Sequence, residues 1–479
     1  MSFLIYDAVL LIIFIIFISI FLHSRKEKIS REGLLLLYKT SWGIKLIKKF
    51  SKKNKPLLKF FAWVSIFLGY FLMISAIYFF GKIVWIYLFN LDFVKSIKIP
   101  PIMPLVPYIP RVFNLDFLPP FYFIYWIIII AIIAIPHEFA HGLYAVYSKV
   151  RIKSTGFGFF PYFLPVFLAA FVELDEKELS KKSKFKQMAT LSAGTFANVL
   201  AGIFFLVLMG GFFYMSYSPE GVVFDNYAYS AINVSDIQTI NNVTLTDLNY
   251  ESILKILNPK RNEIILKNND KYLISRDFFE NSQSKKLFNE KNLLIVYYDA
   301  PAINAGLTGA ISEIDNVKIK NLNQLSEELS KKSPGQEIII KTSTQEGEKE
   351  YKIVLGKNPD DENLPWLGIV FYNKNPRGFL GRIMSFVTFF RDPYVYYKPK
   401  CKTSEFIYNL LWWIVLISFS VALINMLPIG IFDGGRFFYL TILAVTKSES
   451  KAKKTFNAVT MLFLFLLLLI LFSWVRSLF

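Results

Sequence analysis

The chain has 479 residues, of which 54% are hydrophobic, and its only cysteine is Cys401. Long uncharged apolar runs and a mean hydropathy of +0.41 exclude a large soluble enzyme, and the lone cysteine excludes an intrachain disulfide or a thiolate zinc cluster within one chain. The formal charge of +18 would suggest nucleic acid in a soluble protein, but the excess lies largely in loops beside apolar runs, where basic residues set topology, and no nucleic-acid-binding pattern is present.

A membrane span needs about 20 apolar residues. Runs 3–22, 60–80, 121–147, 189–215 and 456–474 meet this, and 406–428 meets it with interruptions at Asn425 and Pro428. The expected class is a polytopic α-helical membrane protein of about six transmembrane helices, multi-pass in the lipid bilayer of the cell membrane. No basic stretch precedes the first run and no small-residue cleavage site follows it, so it reads as a retained anchor.

Loop charges give the orientation. Between the first two runs, basic residues from Arg25 to Lys55 face only Glu27 and Glu32, so this loop is expected in the cytoplasm. Loop 90–120 is Pro-rich and poor in charge, which fits the outside. Segment 149–188 is basic again, with Lys149, Arg151, Lys153 and Lys181–Lys186, and returns inside. Alternation then puts 216–405 outside and 433–455 inside.

Segment 157–172 is apolar but too short to span, and Pro161 and Pro165 oppose a straight helix. A re-entrant or interfacial element is expected, covered by protein or lining a wet cavity. From about 218 to 375, Asn, Asp, Lys and Ser rise. Strand-like runs appear at Gly221–Phe224, Asn292–Tyr298, Glu337–Lys341, Tyr351–Leu355 and Trp366–Phe371, with a short amphipathic helix at Leu322–Leu329. This predicts a water-exposed insert of α+β or mostly β type. Residues 378–391 fit a membrane-surface segment. The expected divisions are anchor helices and loops (1–118), a membrane core in two parts (119–217 and 377–445), the water-exposed region (218–376) and a C-terminal transmembrane helix (446–479).

The string His137-Glu138-Phe139-Ala140-His141 ends the third run. Residues four apart share a helix face, so both imidazoles can bind one metal while Glu138 takes a proton from water beside it. Ionisable groups within a span are costly and mark function. Catalytic zinc takes three protein ligands, and the remaining histidine, His23, lies elsewhere. A carboxylate near the membrane is therefore expected, and Asp433 fits: Pro428, Gly430, Gly434 and Gly435 break the helix around it. Glu173, Asp175, Glu176 and Glu178 are its rivals, but they sit among lysines like a solvated loop.

The string HEFAH within a span, followed far downstream by Asn425-x-x-Pro428-x-x-x-x-Asp433-Gly434-Gly435, resembles the site-2 protease family of intramembrane zinc metalloproteases. The match covers 121–215 and 406–440 in order. The resemblance implies one zinc per chain on His137, His141 and Asp433, with Glu138 as general base, and transmembrane proteins as substrates in regulated intramembrane proteolysis. The family's G-P-x-x-N string is similar to Gly194-Thr195-Phe196-Ala197-Asn198, with Thr195 where Pro is usual. Gly430 stands where a second Pro is common. Segment 157–172 resembles the family's re-entrant β element, which is thought to present substrate as a strand. Within the insert, Ala300–Leu307, Ile311–Asn316 and Pro334-Gly335 look like a PDZ domain, with a weaker echo at Gly221–Leu257, where Ile237–Asn242 parallels Ile311–Asn316. One or two peptide-binding modules are implied.

Asn198 and Asn425 are candidates for holding substrate backbone or an oxyanion, with interhelical hydrogen bonding the competing role. Two other functions fit parts of the pattern. One is a membrane zinc protease of the prenyl-protein or quality-control type, which would need neither Asp433 nor the insert. The other is a noncatalytic receptor with a structural metal site, which would not need Glu138.

Overall fold

The structure, a computed structural model, describes residues 3–32, 35–91, 94–95, 100–101, 103–115, 118–159, 168–244, 248–259, 261–344, 346–374 and 385–477. Two compact units emerge, Met1–Phe212 with Glu405–Phe479, and Phe213–Ser404.

The first unit contains α1 (Phe3–Ser24), α2 (Trp42–Lys53), α3 (Lys55–Phe89), α4 (Phe123–Tyr147), most of α5 (Lys184–Ser216), α6 (Lys402–Asn425), α7 (Asp433–Thr446) and α8 (Glu449–Ser477). Among the described residues, α1, α3, α4, α5, α6 and α8 are long and apolar enough to cross a membrane. Their ends differ from the apolar runs. Helix α3 continues to 35 residues, taking in Lys55, Lys59 and Lys82 beyond the apolar run. Helix α6 stops at Asn425, short of Pro428, whose ring cannot continue it. Residues from Asp433 form α7 where a loop was expected.

The outward and inward faces of α3 differ in size more than in polarity. Phe60, Trp63, Phe67, Phe71 and Ile74 are exposed at helical spacing, as a lipid-facing surface requires. The buried face carries Ala62, Ser65, Gly69 and Ala76. Small side chains let helices approach closely where lipid offers no hydrophobic drive. Ser192 on α5 accordingly donates to Ser65 at 3.2 Å. The buried carboxylate of Asp7 on α1 accepts from the Tyr108 hydroxyl at 2.6 Å and from the backbone N–H of Phe123 and Ile124 at 2.7 and 3.0 Å. It thereby caps the first turn of α4, whose N–H groups have no partner within the helix.

A four-stranded antiparallel sheet, ordered β1 (Ile29–Glu32), β2 (Leu35–Thr40), β3 (Ile152–Phe159), β4 (Leu168–Leu174), lies in this unit. Tyr38 pairs with Phe157, and Phe157 with Ala170. The apolar element expected at 157–172 is thus a strand pair. Its central residues 160–167, with Pro161 and Pro165, lie outside the described residues, as do residues 378–384 of the expected surface segment. Strands β1 and β2 were not anticipated, because the basic charge of their loop dominates the reading.

The second unit holds two hydrophobic cores, one built from Ile232 to Val296 and one from Val222 with Ala302 to Leu367. Each repeats one order of elements. Strand Ile237–Ile240 runs into Asn241-Asn242, and strand Ala310–Ile314 into Asp315-Asn316; all four turn residues have positive φ, the signature of a type I′ turn. An Asn-capped helix follows in each, Tyr250–Ile256 and Leu322–Ser330, and then two strands. Strand Tyr217–Val222 shares the second module's sheet, so the first module is inserted into the second. The unit runs on to Ser404, with Val395–Pro399 paired with Tyr217–Val222 in the same sheet.

Candidate metal centre

His137 and His141 lie one turn apart on α4, with their Nε2 atoms 3.0 Å from each other. The Asp433 carboxylate, at the first residue of α7, brings Oδ2 to 3.3 Å from His137 Nε2 and 3.2 Å from His141 Nε2. Local sequence explains this approach. The first turn of α7 lies against the backbone of Met426–Gly430, so closely that a Cβ on Gly434 would fall 2.3 Å from the Met426 carbonyl carbon, and one on Gly435 2.2 Å from the Ile429 oxygen. Only glycines fit there.

These three atoms fit a divalent metal. Tetrahedral zinc with N and O bonds of about 2.0–2.1 Å has ligand–ligand edges of roughly 3.3 Å, against the 3.0–3.3 Å found. Without a positive charge between them, converging acceptor atoms would repel. Gly194 on α5 supplies the space: a Cβ there would lie 2.4 Å from His141 Nε2 and 2.5 Å from His137 Nε2.

The far ring nitrogens are held as well. His141 Nδ1 is 2.7 Å from the Thr190 carbonyl, to which it must donate, leaving Nε2 with its lone pair. His137 Nδ1 is 3.0 Å from the Asn198 amide nitrogen, while Asn198 Oδ1 is buried with no partner among the described residues. Turning the amide over places Oδ1 on His137 Nδ1–H, which again frees Nε2 for a metal. Asn198, one of the two substrate-holding candidates, is fully buried and paired with His137. Asn198 and Asn425 both line the cavity of about 660 Å³ that also contains His137, Glu138, His141 and Asp433.

Glu138 lies outside the three-atom cluster. Its Oε2 accepts from the Val172 N–H of β4 at 2.8 Å, bringing the sheet edge beside the histidine pair. The rival carboxylates are engaged elsewhere. Glu173 takes the Ser154 hydroxyl at 2.6 Å and Lys39 at 3.1 Å, and these partners hold its carboxyl below the usual range. Asp175 caps a short helix through the Glu178 N–H, Glu176 meets Arg436, and Glu178 accepts from the Arg151 N–H. His23 is exposed on α1. Among the described residues, His137, His141 and Asp433 form the one group able to share a metal.

Three contributors escaped sequence reasoning: the Thr190 carbonyl, the Val172 N–H and the space at Gly194. Two are backbone groups with no side-chain signature. The third was visible as the glycine of Gly194–Asn198, but its purpose was not.

A family model described as Peptidase family M50 matches residues 125–469. No curated protein matches the chain.

Proposed function

The chain belongs to peptidase family M50, the site-2 protease family, and from that premise we propose that it is a zinc-dependent intramembrane endopeptidase, cutting peptide bonds in or near transmembrane segments of other membrane proteins. The observation that carries this reading is the convergence of His137, His141 and Asp433 within 3.3 Å, with Glu138 beside them.

His137, His141 and Asp433 are the residues that would hold one zinc ion. When bound, zinc acidifies water and polarises a carbonyl. Glu138 takes a proton from the attacking water and passes it to the departing amide nitrogen, which leaves as an amine. The Val172 N–H keeps one Glu138 oxygen oriented while the other is free for this exchange. An unwound substrate exposes amide groups that must be paired at membrane depth. Asn425, in the same cavity, is suited to hold one of them, and Asn198 acts on the metal site through His137.

The same reading covers the insert. Two similar modules, each with a strand, an I′ turn, a capped helix and two more strands, support a pair of PDZ-like domains able to accept a peptide at a sheet edge. Loop charges favour an extracytoplasmic insert, at the cell membrane in this reading, where it would restrict access to substrates already trimmed, as regulated intramembrane proteolysis requires.

The test is cleavage of a reporter membrane protein by the purified chain in lipid, with product termini mapped by mass spectrometry. Cuts within the span, lost on chelation and restored by zinc, support the reading. Cuts confined to soluble segments, or binding with no cleavage at all, would replace it with another membrane protease or a receptor.

A further inference from the structure

Helix α2 presents three separate faces. Ile47 and Ser51 are each 1% exposed. Ile47 fills the space over Gly142, where a Cβ would come within 2.7 Å of it, and the Ser51 hydroxyl donates to the Leu143 carbonyl at 3.1 Å. This face is therefore fixed to α4 directly after His141. A second stripe, Trp42, Leu46 and Phe50, recurs every four residues and is 80%, 40% and 47% exposed; Phe50, at its end, also meets the Phe139 ring of α4 edge-on. Lys45, Lys48, Lys49 and Lys52 are exposed along the third side, Lys53 is exposed at the end of the stripe, and the helix contains no acidic residue. Spanning helix α3 starts at Lys55, directly after α2 ends.

A water-soluble helix has no use for an open Trp-Leu-Phe stripe, and a spanning one could not carry this many lysines. An apolar stripe flanked by lysines, at the mouth of a span, matches a helix lying in the interface, with its stripe at the acyl boundary and its ammonium groups among headgroups. We propose that α2, seated on α4 directly after His141, is a docking surface for anionic phospholipid headgroups. Charge complementarity commits the occupant to an anionic lipid surface.

The test uses the full chain with Cys401→Ser and Leu46→Cys, labelled with an environment-sensitive fluorophore and reconstituted in phosphatidylcholine vesicles with or without phosphatidylglycerol. With phosphatidylglycerol, the probe should shift to the blue and resist an aqueous quencher. High salt should reverse this. Replacing the five lysines by Gln should abolish it, with apparent headgroup affinity falling roughly fivefold per lysine removed, and Lys→Arg replacements should preserve it. The salt titration on the native lysines decides the matter even if the Gln variant does not fold. Equal protection in both vesicle types, insensitive to salt, would mean that packing on α4 alone sets the helix. Absence of protection in both would leave the stripe to a protein partner. Either result overturns the proposal.

Discussion

Asn198 on α5 lies 3.0 Å from Nδ1 of His137 on α4, the ring nitrogen that points away from Asp433. With its amide turned so that oxygen accepts, Asn198 determines which tautomer His137 adopts. Asn198→Ala should weaken zinc binding about 10–100-fold. Asn198→Asp, which can only accept when ionised, should retain most of it. Titration against a competing chelator measures both; loss in the Asp variant equal to that in Ala would show that the amide donates.

Gly194→Ala should remove metal binding while leaving the chain folded. Alanine favours helix, yet its Cβ would enter the space between the two ligand nitrogens, 2.4 and 2.5 Å away. Zinc content and thermal unfolding, measured together, separate this from general destabilisation. An Ala variant that loads zinc normally would show that α5 can shift aside.

These two positions mark how far the sequence carries. The grouping of His137, His141 and Asp433 was legible because few residue types can share a metal and the HEFAH spacing puts both imidazoles on one helix face. The six spans were legible because membrane depth constrains apolar length. Strands β1 and β2 were obscured because Arg25 to Lys55 read as a topogenic loop, although Leu35–Leu37 is an apolar stretch within it. The strand Val395–Pro399 that closes the insert pairs with Tyr217–Val222, far away in sequence. Neither strand's local pattern reveals such a long-range pairing.

Cys401 reports on orientation. It is exposed in the second unit, and hydrogen bonds with the Ser404 and Thr403 hydroxyls lower its thiol to about 7. The reactive thiolate therefore grows as pH rises through 7. A membrane-impermeant maleimide should label it in intact cells if the insert is extracytoplasmic, with a rate midpoint near pH 7. Ser404→Ala should move that midpoint up, towards the roughly 8.5 of a free thiol. Labelling only after permeabilisation would reverse the assigned orientation.

Tyr217 and Pro399 are register partners, so the chain enters and leaves the insert at neighbouring residues. Replacing 218–398 with a short flexible linker should leave the membrane unit folded, since none of the residues around the metal centre lies in that interval. If the insert restricts access, the deletion variant should cut substrates whose external domain is untrimmed, which the full chain leaves intact. A stable, zinc-loaded deletion variant that cuts nothing would make the insert a required part of the enzyme.

The most direct measurement is zinc per chain, determined alongside reporter cleavage, in the native protein, Glu138→Gln and Asp433→Ala. Glu138 moves protons in this account and ligates nothing, whereas Asp433 completes the ligand set. Glu138→Gln should therefore keep a full complement of zinc and lose cleavage, and Asp433→Ala should lose both. Full zinc occupancy in Asp433→Ala, or undiminished cleavage by Glu138→Gln, would contradict it.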